Sequence, residues 1–310
     1  VITEGTTWEV RTGCVYTHSG TSLARGTLED SSTGSAITFT TAAIVTATPT
    51  AAFLNRLESA ALNHVALADA NTTMVVGTMY VGSMAAWATA DRTYTLPAVA
   101  AVGDRVGVMI TGGNASYELI LTAATSDTLN GVAGGTEWSR VFITNEVVIM
   151  RCVTADSAWV VEQDGRIPCN CSLEETSTTS CSHATYTRVT VDSSLFDVGD
   201  IGDPTTNNRI TARRAGKYVI SALANMAALN ADTRVIGNVY KNDSAFSELG
   251  RNWNRGTGVT LTSNGTPILK LAVGDYVELW VQWNISGGSG SKSTDATSGL
   301  RPYLSVCEVL

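Results

Sequence analysis

The sequence predicts a mostly β protein made of successive parts: an N-terminal β region, a short helical neck, a β-sandwich-like spacer and a C-terminal β unit. Three observations carry that prediction. Apolar residues make up 44% of the 310 residues and charged residues only 15%, so the chain has material for a core but an unusually uncharged surface. Thr, Ser, Ala, Val and Gly fill the gap, a composition of strands and turns with small side chains. Short alternating β-branched and aromatic runs recur between Gly, Asn and Asp turns, and two stretches, 50–70 and 166–185, break this rhythm.

Residues 1–49 open with strands. TTWEVRTGCVYT and GSAITFTTAAIVTATPT alternate, with turn residues such as Ser31-Ser32-Thr33-Gly34 between them. Residues 50–70 differ. TAAFLNRLESAALNHVALAD lacks Gly and Pro and is full of helix formers, and Thr50 is a suitable N-cap. Leu54, Leu57, Ala61, His64 and Ala68 form a narrow apolar seam on such a helix, which would be about 27 Å long for about 18 residues. The seam is too narrow for a lone helix. It packs either on its own domain or in a short parallel bundle of identical helices. In the second case Leu54 and Leu57 are the anchors, Ala61 sits beside them, and Phe53 staples the helix to a neighbouring layer. His64 reads as a packed or solvated side chain.

Residues 71–165 return to strands: MVVGTMYVG, RTYTLP, DRVGVMIT, YELILTAA, RVFITNEVVIMRCV and SAWVVEQ. This spacing suggests a sandwich or barrel of roughly 90 residues, with Trp138 and Trp159 as core or interface anchors. Residues 166–185 are polar, Ser/Thr-rich and aperiodic, which is linker composition. They hold Cys169, Cys171 and Cys181, three of the chain's six cysteines, together with His183. The C-x-C…C-x-H spacing does not match the usual zinc patterns. A staple between chains would need an oxidising compartment. The leading reading is a solvated joint with incidental thiols and with Glu174 and Glu175 in water; a metal site and an interchain staple compete with it. Cys14, Cys152 and Cys307 lie in predicted strands and read as small core residues.

Residues 186–310 form another strand-rich unit. Within Tyr276–Trp283, Val277, Leu279, Val281 and Trp283 share one face, a core face, while Tyr276, Glu278, Trp280 and Gln282 share the other. Two aromatics on the second face call for a partner surface, so Tyr276 and Trp280 are candidate assembly residues. The net charge of −8 argues against nucleic acid. No apolar run approaches the ~18 residues of a membrane span.

FDVGD, ITARRAGKYVISA, LAVGDYVELWV and the closing PYLSVCEVL resemble successive strands of C1q/TNF-like jelly-roll domains. The Ala215-Gly216-Lys217-Tyr218 and Gly274-Asp275-Tyr276-Val277 steps carry most of the likeness, which covers the last two-fifths of the chain. It implies a homotrimer that binds ligands on its outer surface or between subunits. The stretch GTTWEVRTGCVYTHSGTSLARGTLEDSSTGSAITF resembles the end of a β domain of tailed-bacteriophage tail and head fibres, which implies further β sequence before Val1. The stretch from YTLPAVAAVGDRVGVMI to DTLNGVAGGTEWSRVFITNEVVIMRCVTADSAWVVEQDGRIP is similar to a module that precedes C1q-like tips in such fibres. Together these resemblances imply a virion fibre or spike. Tail, portal or capsid proteins would meet its N-terminal end, and a host cell-surface glycan or protein would meet its tip. The competing class is a capsid decoration or head-fibre protein with a mainly structural role.

Catalytic chemistry finds little support. There is no Gly-x-Ser-x-Gly, and three scattered histidines do not suggest a Ser-His-Asp triad. Asp197, Asp200 and Asp203 cluster in a Gly-rich loop where turn chemistry is the simplest role, with calcium as the alternative. The expectation is therefore a non-enzymatic protein without cofactor or metal. In ELGRNWNRGTG, Arg251, Trp253 and Arg255 alternate beside glycines, as in adaptable recognition loops. A sugar ring would stack on Trp253 with arginines on acidic substituents; packing of Trp253 in a trimer interface is the alternative. The segment 286–299, SGGSGSKSTDATSG, reads as a mobile loop.

Overall fold

The computed structural model describes residues 62–310 except 298 and 300 and, before residue 62, the backbone of six strands. The chain divides into two units, Val1–Ala61 and Leu62–Leu310. In the first, β1 (Ile2–Glu4), β2 (Thr7–Thr12), β3 (Val15–Thr17), β4 (Ser22–Ala24), β5 (Thr27–Ser31) and β6 (Ile44–Val45) form an antiparallel sheet of order β5-β2-β1-β6 and a separate β3-β4 pair.

Among the described residues there is no helix. The end of the span predicted as a helical neck is instead β7 (Asn63–Ala66). It lies parallel to β9 in register Asn63↔Thr78 to Ala66↔Val81. That pairing supplies its backbone with partners, and a few tenths of a kcal/mol of helix propensity do not outweigh it. Residues 50–61, with Phe53, Leu54, Leu57 and Ala61, lie outside the described residues.

The spacer is two-layered, as a sandwich is, but it opens with parallel strands. β7, β8 (Thr72–Thr73), β9 (Thr78–Ser83), β10 (Arg92–Thr95), β11 (Arg105–Gly112) and β12 (Leu119–Thr122) alternate between two sheets. β7, β9 and β11 run parallel in one, and β8, β10 and β12 run parallel in the other. The chain thus winds through three turns of a two-walled coil. After the short β13 (Thr128–Leu129) and β14 (Val132–Ala133), the antiparallel β15 (Glu137–Val141), β16 (Val147–Thr154) and β17 (Ala158–Gly165) close the two walls. Between the walls, Tyr80 meets Tyr94 edge-on at 5.3 Å. Val106, Val108, Ile110, Leu119, Leu121, Val148, Met150 and Trp159 complete a buried core, so Trp159 is the core anchor that its sequence suggested.

The stretch 166–185 departs from its reading as a solvated joint. It contains β18 (Asn170–Glu174) and β19 (Ser180–Ser182), and Cys169, Cys171, Leu173 and Cys181 are fully buried. Polar composition misleads here because Cys171 and Leu173 of β18 face inward while the polar residues of its other face, Asn170, Ser172 and Glu174, are themselves half-buried or buried, Ser172 against Ser305. β18 is a central strand of the terminal unit.

That unit continues with β20 (Thr187–Arg188), β21 (Ser193–Val198), β22 (Gly202–Asp203), β23 (Arg209–Thr211), β24 (Gly216–Leu229), β25 (Arg234–Lys241), β26 (Ser244–Trp253), β27 (Val259–Gly265), β28 (Ile268–Leu271), β29 (Tyr276–Asn284), β30 (Ser291–Ser293) and β31 (Tyr303–Val309). One sheet has the order β21-β18-β31-β24-β27, with β28 also on β24. The other has the order β22-β23-β29-β25-β26, with β20 also on β29. All pairs in both sheets are antiparallel, and most neighbours are distant in sequence, which is a jelly-roll arrangement. The predicted core face of β29 is realised: Val277, Leu279, Val281 and Trp283 are buried. Opposite them stand Tyr218, Ile220, Ala222, Ala224 and Met226 of β24 with Leu304 and Val306 of β31. The β25–β26 hairpin turns through Asn242 and Asp243, both at positive φ (48° and 61°), as a two-residue primed turn requires.

Two adjacent arginines join spacer and jelly roll. Arg213 donates to Glu118 at 2.7 Å and to the carbonyls of Gly199 and Asn114 at 2.9 Å, and its guanidinium lies 4.1 Å from the Phe142 ring centroid. Arg214 is 1% exposed and pairs with Glu146 at 2.6 Å and Glu308 at 2.8 Å, themselves 0% and 2% exposed. It also donates to the carbonyls of Arg140 and Ile167. Burial opposes charge on Arg214, but the two carboxylates outweigh it and hold its pKa above the ordinary arginine value.

Candidate recognition surface

β25 and β26 end together at one edge of the jelly roll, and this hairpin positions the predicted contact residues. The last residues of β26 project outward because that edge strand has no neighbour beyond it in its sheet. Trp253 is 62% exposed. Arg251 lies two residues earlier and is tied to Glu248 at 2.8 Å. That bond raises the Arg251 pKa and lowers that of Glu248, so the pair is largely self-neutralised. Arg255 has no hydrogen-bond or ion-pair partner among the described residues.

The structure adds a residue that sequence reading missed. Arg234, the first residue of β25, pairs directly with Trp253 across the hairpin, and its guanidinium carbon lies 5.8 Å from the indole centroid. Its Nε is buried and has no hydrogen-bond partner. In sequence, TRVIGNVY looks like an ordinary strand start; only the register brings this cation to the indole. Two open concavities flank Trp253. One, of about 520 Å³, is lined by Asp232, Trp253, Asn254 and Arg255. The other, of about 510 Å³, is lined by Asp232, Arg234, Trp253, Asn284, Ile285 and Ser286.

The loop beneath is firmly held. Asn254 is 4% exposed. Its amide donates to the carbonyls of Asn230, at 3.0 Å, and Gly256, and its Oδ1 accepts from the Gly256 N–H at 2.8 Å. Within the span 286–299, residues 291–294 are likewise pinned rather than part of a free loop. β30 pairs with β19, Lys292 donates to the Ala228 carbonyl at 2.9 Å, and Thr294 is buried. Ser and Thr here serve sheet pairing and backbone bonds, which composition alone cannot distinguish from a flexible loop.

Tyr276 and Trp280 lie on the outward face of β29, both half-buried and both with partners in this chain. Trp280 stacks on Tyr240 at 4.5 Å and donates to Glu278 at 3.0 Å. Tyr276 donates to Asp243 at 2.6 Å and lies under Arg209 at 4.0 Å. The more exposed apolar surface is on the other sheet. A cross-strand row there runs Val198, Asn170, Cys307, Val219, Ile268, and the next runs Phe196, Ser172, Ser305, Ser221. Phe196 is 51% exposed, Ile268 66% and Val309 51%. Cys307, expected in a core, is exposed on this face.

The aspartate cluster makes turns. Asp197 accepts from the Ile201 and Gly202 N–H groups, and Asp203 from Thr206 N–H and Asn207. No group of metal-ligating side chains occurs among the described residues. Cys152, Cys169, Cys171 and Cys181 are buried free thiols. Burial pushes Cys171 up to about 12 and Cys181 up to about 11, so neither is a ready thiolate. Glu174 pairs with Arg301 at 2.6 Å, and Glu175, expected in water, is fully buried.

No family model matches the chain, and no curated protein matches it. Among solved structures it is similar to the globular domain of zebrafish complement 1qA protein, at 18% identity over 46% of this chain and 98% of that one, with a TM-score of 0.35. It is similar to murine APRIL at 11% identity over 46% and 100% of the two chains, with a TM-score of 0.34. It is similar to an Eiger TNF from S. frugiperda at 9% identity over 46% and 92%, with a TM-score of 0.32. The jelly-roll assignment rests on the strand order and pairing given above.

Proposed function

We propose that the chain is a non-enzymatic fibre or spike protein of a tailed-bacteriophage virion, a homotrimer whose jelly roll touches the host cell surface. The observation that carries the contact role is Trp253: a large, 62% exposed indole at the end of a hydrogen-bonded hairpin strand, with Arg234 across from it. An exposed aromatic held in place loses little conformational entropy when it is covered, which suits a recognition anchor. Trimerisation is supported by the outward face of the β18–β31–β24 sheet, where Phe196, Ile268, Cys307 and Val309 face water; covering it contributes about 25 cal/mol per Å² of apolar surface. Three tips on one axis would gain roughly 10²–10⁴ in avidity over one weak contact.

The test is Trp253→Ala in the full chain. Binding of the purified protein to host cell envelopes is expected to weaken roughly tenfold or more, with assembly unchanged. Unchanged binding would remove Trp253 and the contact surface built on it. Cryo-electron imaging of the particle separates this reading from capsid decoration by where the protein is attached.

A further inference from the structure

We infer that the Trp253 surface takes a carboxylate-bearing saccharide, with Arg234 and Arg255 as its acid-reading groups and Arg251 as a bystander; this rests on the contact role proposed above. The indole offers a flat apolar face of the kind the C–H side of a pyranose ring covers. Beside that face stand two cations with no close ion pair among the described residues, although Glu248, which is bonded to Arg251, acts on Arg234 at longer range. Arg234 lies directly across the hairpin with its Nε buried and unpaired. Arg255 lines the concavity on the indole's other flank. The buried Nε is out of a ligand's reach, but no acceptor among the described residues holds the terminal Nη groups of Arg234, and these are the donors left to meet a ligand oxygen.

The guanidinium fork matches a carboxylate with two parallel hydrogen bonds. Arg251 is different: Glu248 already occupies its fork through Nε and Nη2. Asp232, shared by both concavities, is an acceptor suited to sugar hydroxyls, and its charge disfavours a ligand that is densely anionic all round. Asn284, opposite Arg234 on β29, adds an amide to the same wall. The combination favours a sugar with one carboxylate and several hydroxyls per ring over a polyphosphate or a neutral glucan.

The probes are polygalacturonate, its methyl ester of equal length, and amylose, each titrated against the full chain by affinity electrophoresis. Polygalacturonate is expected to bind at least tenfold more tightly than its methyl ester or amylose. Arg234→Gln and Arg255→Gln should each weaken it roughly tenfold, Trp253→Ala should abolish it, and Arg251→Gln should leave it unchanged. Equal binding of acid and ester would overturn the carboxylate reading while leaving a sugar-contact surface. Polygalacturonate binding that survives Trp253→Ala would overturn the contact surface itself. No binding of polygalacturonate would overturn this inference, and the envelope assay would still decide the contact role.

Discussion

Replacing Arg214 with Met tests how spacer and jelly roll are held as one unit. The substitution removes the cation between Glu146 and Glu308, both buried, and leaves the carbonyls of Arg140 and Ile167 without that donor. Breaking a buried ion pair from one side costs about 3–5 kcal/mol, because the opposite charge is left uncompensated. The two glutamates should not suffer equally. Glu146 still accepts from the N–H groups of Phe142 at 2.7 Å, Ile143 at 2.9 Å and Ile167 at 3.0 Å. Glu308 keeps only the Cys169 N–H at 3.0 Å. Most of the loss therefore sits on Glu308, and adding Glu308→Gln to Arg214→Met should recover more stability than adding Glu146→Gln. In thermal unfolding the single variant should melt roughly 6–20 °C lower, at about 2–4 °C per kcal/mol for a unit of this size. Urea titration supplies the double-mutant cycle. A loss under about 1 kcal/mol, or equal rescue by the two second-site changes, would refute the reasoning.

Two further predictions concern groups that composition placed in water. Burial raises the Glu175 pKa above its ordinary value of 4.5, partly offset by the bonds from Thr179 and Thr294. Its contribution to stability is therefore complete below about pH 4.5 and is lost as pH rises through the folded value. Glu175→Gln should match the parent near pH 4 and exceed it by about 1 kcal/mol at pH 8 in denaturant titrations; equal stability at both pH values would contradict this. The thiols of Cys169, Cys171 and Cys181 should resist an aromatic disulfide reagent at pH 8 until the protein unfolds, since burial keeps them protonated and shielded; rapid labelling of any of them in the folded protein would be inconsistent with that packing.

How much of this could be read from residues follows from which signals are local. The alternation of Tyr276–Trp283 is local, and its inward face, Val277, Leu279, Val281 and Trp283, is buried as that alternation implies. The parallel coil of the spacer was not visible, because alternation gives a strand's faces but not its neighbours. Connections such as 84–91 and 96–104 are too long for two-residue hairpins, and that was the available hint. β18 is hard to see in the sequence because its inward residues are one cysteine and one leucine, Cys171 and Leu173, among Asn170, Ser172 and Glu174. β7 lies in a helix-favouring stretch, and its parallel pairing with β9 is a tertiary effect. Trp253 stands out in the sequence as an aromatic between arginines beside glycines, and the structure places it exposed at the end of strand β26 rather than in a loop, whereas Arg234 comes beside it only through the hairpin register. Nothing local marks Arg213 and Arg214, because their carboxylate partners Glu118, Glu146 and Glu308 lie far away in sequence.

The proposed homotrimer requires identical copies to cover the outward face of the β18–β31–β24 sheet. Sedimentation equilibrium of the purified chain measures this directly. The prediction is a particle of three times the 32.5 kDa chain mass, reduced to one chain mass with the jelly roll still folded when Ser305→Arg places a charge in the middle of that face. A parent protein that sediments as a soluble single chain at micromolar concentration would contradict it.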